Sequence, residues 1–226
     1  MESRIARLEA QIASMAVKLA ALSVSTALPR KTPVLLLFDL ETTGLGKTKF
    51  IKICELGAIN YNTGAVFQHY VNPGVVVPDR ATAVHHLSNE MLQQHPGWAQ
   101  VQPKWEEWLN KQRPSDDVPL LLGGFNSKRY DSRILTFESN YQYPPNVFFV
   151  DFREVFPLAF PDMEGKKSLG GYHQWALSKE ITSAHTAVAD ATAIADICRV
   201  VDQLPLFQWI ANKQESANGV IKRCTK

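Results

Sequence analysis

A chain of 226 residues, 45% hydrophobic and 20% charged, is long enough for one ordinary domain with a sizeable core and too apolar to be a disordered polymer. Its formal charge of +2 neither requires nor excludes a nucleic-acid partner, because a basic patch around acidic ligands averages out. Cys54, Cys198 and Cys224 form no close pair, which speaks against a disulfide framework or zinc site and fits an intracellular, reducing compartment, the cytoplasm before others. No apolar run approaches the ~20 residues of a membrane span, so no membrane association is expected, and Glu2 and Glu9 speak against a transit peptide.

Ile5, Leu8, Ile12, Met15, Leu19 and Leu22 recur at steps of three and four, as a and d positions of successive heptads. The spacing predicts a helix over residues 1–24 whose apolar stripe needs a partner. That partner is either a second copy, in a coiled coil that makes the protein a homo-oligomer, or the chain's own domain. Isoleucine at two a positions favours a dimer, while Met15 and Leu19 leave a trimer open. Residues 25–32 read as a linker, 33–212 as the main domain and 213–226 as a loose tail.

The apolar run Val34 to Phe38 suits a strand buried on both faces. Phe50 to Asn60 reads as a second strand, and Asn62, Thr63 and Gly64 turn it into a third, Val66 to Val71, which makes a meander. Asn72 to Arg80 reads as loop, and Ser88 as the cap of a short helix with Glu90 in its first turn. A helix is expected from Pro103 to Gln112, with Trp105, Trp108 and Leu109 on its core side. Strand (Val118 to Leu122), helix (Tyr130 to Glu138) and strand (Val147 to Val150) follow, then helices from Asp151 and Ser168, a strong helix from Thr186 to Val201 and a short one from Leu204 to Asn212. A meander followed by alternating strands and helices predicts a mixed α/β sheet flanked by helices.

The first strand delivers Asp39 and Glu41, two acids at i and i+2 that point the same way on an extended chain. Two neighbouring, partly buried carboxylates are costly unless a proton or a cation neutralises them, and hard oxygen ligands suit Mg²⁺ or Mn²⁺. The plain alternative is a strand end emerging into solvent. Asp131 stands at a strand-to-helix junction and Asp190 early in the last strong helix; taken singly, they read as a surface acid and a helix-start acid. Brought together, the four would hold two divalent ions, and His185 could deprotonate an attacking water, its imidazole titrating near neutrality.

The ordered set resembles the DEDDh group of 3′→5′ exonucleases, with the ribonuclease-H-like fold, over roughly residues 33–205. The first motif matches Phe38-Asp39-Leu40-Glu41-Thr42-Thr43-Gly44, and the third matches His185-Thr186-Ala187-Val188-Ala189-Asp190. The second, Asn126 to Asp131, is closer to three-prime repair exonucleases than to polymerase proofreading subunits. Ile53, Glu55, Gly57 and Ala58, with Val84 to Leu87, resemble blocks lying between the first two motifs. The resemblance implies a five-stranded mixed sheet and metal ligation by Asp39, Glu41, Asp131 and Asp190, with two Mg²⁺ that Mn²⁺ can replace. It implies His185 as general base, and Leu40, Thr42 and Thr43 as lining for the 3′-terminal nucleotide. Products would be nucleoside 5′-monophosphates, released one at a time from single-stranded nucleic-acid 3′ ends. Asn126, Lys128 and Arg129 lie beside a ligand and are candidates for substrate contact; Lys47, Lys49, Lys166 and Lys167 are further candidates for phosphate contact. The chain departs from the group at Phe125, where many relatives carry a His, and in its heptad helix. DNA is the expected polymer, RNA the alternative, and a catalytically idle nucleic-acid-binding scaffold the rival from another class.

Overall fold

The apolar run at Val34 opens a nine-residue strand, β1 (Val34–Thr42), at the centre of the sheet in a computed structural model that describes residues 32–46, 50–139, 143, 146–201 and 215–216. The heptad stretch 1–24, most of the linker, Lys47, Lys49 and the expected helix over 204–212 lie outside the described residues. The meander continues in β2 (Ile53–Asn60) and β3 (Val66–Tyr70), both antiparallel to their neighbours, while β4 (Leu120–Gly124) and β5 (Val147–Asp151) run parallel to β1. The order is β3-β2-β1-β4-β5, the five-stranded mixed sheet expected. A two-residue strand, β6 (Glu215–Ser216), adds antiparallel to β5 from the stretch expected to be a loose tail.

Alternation along β1 feeds two cores. Leu36, Phe38 and Leu40 pack with Trp105, Leu109, Ile134 and Leu135 on one face. Leu35 and Leu37 pack with Phe152, Phe156, Tyr172 and Ile194 on the other. Each such buried side chain contributes roughly 1.5–3 kcal/mol, so a strand buried on both sides is a rigid mount for whatever its end carries.

Seven helices cover the described sheet: α1 (Asp79–His85), α2 (Asn89–Gln93), α3 (Trp98–Gln112), α4 (Asp131–Ser139), α5 (Phe152–Ala159), α6 (Leu169–Leu177) and α7 (Ala187–Arg199). Ser88 caps α2, its hydroxyl accepting the Met91 N–H at 3.1 Å, and Ser168 caps α6 through Gly171 N–H at 3.2 Å. Two expected helix bounds need correction. Helix α3 starts at Trp98, so Pro103 lies inside it and one backbone bond is missing there; buried Trp98 and Val101 extend the apolar stripe upstream and outweigh that loss. Helix α1 begins at Asp79, inside the stretch read as loop, and is held by buried Ala81 and His85. Among the described residues no helix is long and apolar enough to cross a membrane.

Candidate active site

Asp39 and Glu41 share the face of Leu35 and Leu37, the one that α7 covers. In the β1–β2 ladder Gly57 stands opposite Asp39 and Glu55 opposite Glu41. A Cβ at Gly57 would lie 2.3 Å from the Val188 nitrogen and 2.4 Å from the Ala187 carbonyl carbon, so glycine lets α7 begin directly against the β2 backbone. That contact brings Asp190, in the first turn of α7, to the end of β1. One carboxylate oxygen from each of Asp39, Glu41 and Asp190 lies within 4.8 Å of the other two. Asp131, at the start of α4, is buried beside this trio, and its charge acts on Asp39.

The electrostatics follow from burying acids together. Desolvation holds Asp39 well above the usual carboxylate range, and Asp131, Asp190, Glu41 and Glu55 push it the same way. Glu41 is pushed up to about 8, by burial first and then by Asp190, Glu55 and Asp131. Burial lifts Asp131 to about 7, although the backbone amides of Asp131 and Leu40 favour its charged form. Asp190 is raised by burial, while the His185 ring and backbone N–H pull the other way. Hard oxygens crowded to this degree fit a divalent cation of the Mg²⁺ or Mn²⁺ kind. The Cys54 thiol is buried among Val77, Ala81, Leu87 and Leu92, is raised to about 12 by desolvation and then by Glu41, and is not one of the clustered ligand atoms.

A cavity of about 630 Å³ opens beside the trio. Leu40, Tyr130 and Ile134 give it apolar walls; Thr42, Asn126 and His85 add polar atoms, and Glu41 and Asp131 reach it from the acidic side. The Thr42 hydroxyl donates to Gly44 O at 3.2 Å. Thr43 turns away, buried, its hydroxyl accepting from Lys52 N–H at 3.1 Å and its own N–H donating to Lys52 O at 3.0 Å. His185 is exposed, with a left-handed backbone (φ 67°) that a non-glycine residue adopts at some cost, one residue before the N-cap of α7. Asn126 is also left-handed (φ 61°), and its side-chain oxygen accepts from Arg153 at 3.2 Å. Lys128 is exposed and 3.4 Å from Glu154; Arg129, Lys166 and Lys167 are exposed. Phe125 packs against Phe156 and Tyr172, on the core side.

Three residues at the site carried no role in the sequence reading. Glu55 is fully buried with both oxygens bonded. Asp151, ending β5, accepts the backbone N–H groups of Asn126 (2.8 Å), Lys128 (3.1 Å) and Arg153 (2.9 Å), and so shapes the turn that leads to Asp131. His85 lines the cavity, its Nδ1 accepting Leu87 N–H at 3.1 Å. The available signal for Glu55 and Asp151 was a charge inside an otherwise apolar strand.

A family model described as Exonuclease (RNase_T) matches residues 36–198. DNA polymerase III subunit epsilon of Buchnera aphidicola is 23% identical over 200 residues, which cover 83% of this chain and 78% of that protein. A PolC-type DNA polymerase III of Clostridium perfringens is 27% identical over 169 residues, 72% of this chain but 11% of the polymerase, so the chain corresponds to a small part of it. Among solved structures, the nuclease domain of 3′hExo, a DEDDh family member bound to rAMP, superposes with a TM-score of 0.62 at 19% identity, over 76% of this chain and 92% of that one. The polymerase relatives match most of the domain, whereas the likeness to three-prime repair exonucleases is carried by residues 126–131 alone.

Proposed function

The chain belongs to the exonuclease family and to its DEDDh group of 3′→5′ exonucleases, and on that premise we propose that it removes nucleoside 5′-monophosphates from single-stranded or frayed DNA 3′ ends. The observation that carries this is the trio of Asp39, Glu41 and Asp190, its oxygens within 4.8 Å of one another, beside an apolar-walled cavity of nucleotide size.

Asp39, Glu41 and Asp190 would hold the catalytic ion and Asp131 would serve a second, Mg²⁺ in both cases with Mn²⁺ as a substitute. Bound there, divalent ions supply Lewis acidity toward the scissile phosphate and its attacking water. The remaining work belongs to side chains. His185 takes the proton of that water on its imidazole nitrogen, from an exposed position that lets the ring swing in. Leu40, Thr42 and Ile134 hold the terminal nucleotide in the cavity and fix its bond to the next phosphate. Lys128 and Arg129, exposed within the second motif, track the preceding phosphates without reading bases.

The Buchnera relative, a DNA polymerase subunit, supports DNA as substrate. A 3′→5′ exoribonuclease with the same chemistry is the second reading, favoured by the rAMP held by the structurally similar 3′hExo domain. One assay separates them: 5′-labelled single-stranded DNA and RNA of one sequence, incubated with Mg²⁺, Mn²⁺ or chelator. Metal-dependent shortening is expected, faster on DNA. A faster rate on RNA reassigns the polymer, and no shortening of either returns the chain to the idle-scaffold reading. The heptads of residues 5–22 support a homo-oligomer, a dimer first. Deleting residues 1–24 then lowers the particle mass in light scattering, and an unchanged mass removes the claim.

A further inference from the structure

The start of α7 is capped from outside its own segment. Thr186 occupies the N-cap position but makes no side-chain cap bond; its hydroxyl donates backwards to Ser183 O at 3.1 Å. The N–H of Ala187, the first helical residue, instead donates to Glu55 Oε2 at 3.1 Å, across 132 residues of chain. Glu55 Oε1 accepts from the Gln68 amide at 2.8 Å, so a side chain on β3 clamps the carboxylate from the other side. Glu55 is fully buried, sits opposite Glu41 in the ladder, and lies two residues from the glycine on which α7 rests. An acid aimed at a helix N-terminus meets both its unpaired N–H groups and the positive end of its dipole.

A fully buried acid beside the trio adds repulsion to each of its three carboxylates in the metal-free protein, so its presence asks for a reason. We propose that Glu55 is a positioning residue of the exonuclease reaction, a cross-strand cap that fixes the first turn of α7 and thereby sets Asp190 and His185 against Asp39 and Glu41. The inference rests on the exonuclease reading of this site. Asp190 N–H bonds Thr186 O at 3.0 Å, so Asp190 belongs to the first turn that Glu55 holds, and His185 is joined to that turn through the N-cap Thr186. The nucleotide cavity is lined from β1, α1, the second-motif turn and α4, with no residue of α7 in its wall. Loss of the cap therefore separates two readouts: the metal site and turnover suffer, while oligonucleotide binding does not.

The test uses the full chain. Mn²⁺ affinity is measured by calorimetry without substrate, and kcat and KM on a single-stranded oligonucleotide. Glu55→Ala is expected to weaken Mn²⁺ binding and lower kcat by about 10- to 100-fold, with KM for the oligonucleotide unchanged. Glu55→Gln keeps the cap, because its amide oxygen accepts from Ala187 N–H and its NH₂ donates to Gln68 once that amide turns over; it loses less than the roughly tenfold at the lower edge of such effects. A Glu55→Gln protein as impaired as Glu55→Ala assigns the role to charge and overturns the proposal, as does a Glu55→Ala protein with wild-type Mn²⁺ affinity and kcat. Should Glu55→Ala fail to fold, Gln68→Ala releases the clamp from the exposed face of β3. It is expected to move Mn²⁺ affinity and kcat in the same direction by a smaller factor, and wild-type values in both would overturn the proposal. A wild-type protein that binds Mn²⁺ yet shortens no oligonucleotide would instead overturn the exonuclease reading, and the calorimetry would still judge the cap.

Discussion

Gly57→Ala is the smallest change that should separate the two halves of the site. The added methyl would lie 2.3 Å from Val188 N and 2.4 Å from Ala187 C, both backbone atoms that no rotamer change can move. Ordinary contact begins near about 3.5 Å, so the start of α7 must retreat by roughly 1 Å. Overpacking of this kind costs about 1–3 kcal/mol, and a backbone-on-backbone clash belongs at the upper end. For a domain of this size that is a fall in Tm of roughly 6–12 °C. Asp190 retreats with the helix, and a misplacement of about 1 Å lowers turnover by roughly a hundredfold. Thermal melts by circular dichroism and kcat on a 5′-labelled oligonucleotide read both effects. A Gly57→Ala protein that melts and turns over like wild type would show that α7 does not bear on β2, and the geometric account of the trio would fall with it.

Without metal, stability should fall as pH rises. Glu41 in the folded chain titrates at about 8 against an ordinary 4.5, so between those values the folded state holds the extra proton. The stability is complete below the lower value and lost as pH passes the upper, at most roughly 5 kcal/mol from this group. Melts in chelator from pH 5 to 8 check the slope, and added Mg²⁺ or Mn²⁺ should raise Tm more at pH 8 than at pH 5. Asp39→Asn removes a buried charge that four other acids repel, so it should raise Tm in chelator at pH 8 while abolishing metal-dependent cleavage. Asp151→Ala frees the three backbone N–H groups that shape the second-motif turn; a loss of roughly 3 kcal/mol is expected in denaturant melts, with reduced kcat as Asp131 loosens.

What the sequence makes legible follows from what is local. The spacing of Asp39 and Glu41 forces them to one side of a strand, and the apolar run before them dictates a buried one. Asp131 and Asp190 were legible only as parts of an ordered set, since a strand alternation or helix period says nothing about which helix N-terminus meets which strand end. Glu55 was legible as part of a family block but not in its role, because its partners, Gln68 and Ala187, come from a different strand and a distant helix. The shift of β4 onto Gly123 and Gly124 has a similar cause. The expected strand ended at Leu122, before two glycines, yet a Cβ at Gly123 would sit 2.4 Å from the Phe152 ring, so the strand keeps glycine to admit that ring. Helix α1, with β-branched Thr82 and Val84 and no side-chain cap, has weak local propensity and owes its existence to burial.

The parallel pairing of β1 with β4 also decides where this protein can be altered freely. Val34 N–H bonds Pro119 O at 2.9 Å, so the turn from Arg113 to Pro119 enters the sheet at the end opposite the acids. Asp39 lies five residues further along β1, roughly 16 Å away. A fluorophore or affinity handle joined at exposed Asp117 would ride on the turn that enters β4 while staying clear of the cleft, a natural anchor for watching single strands being shortened in real time.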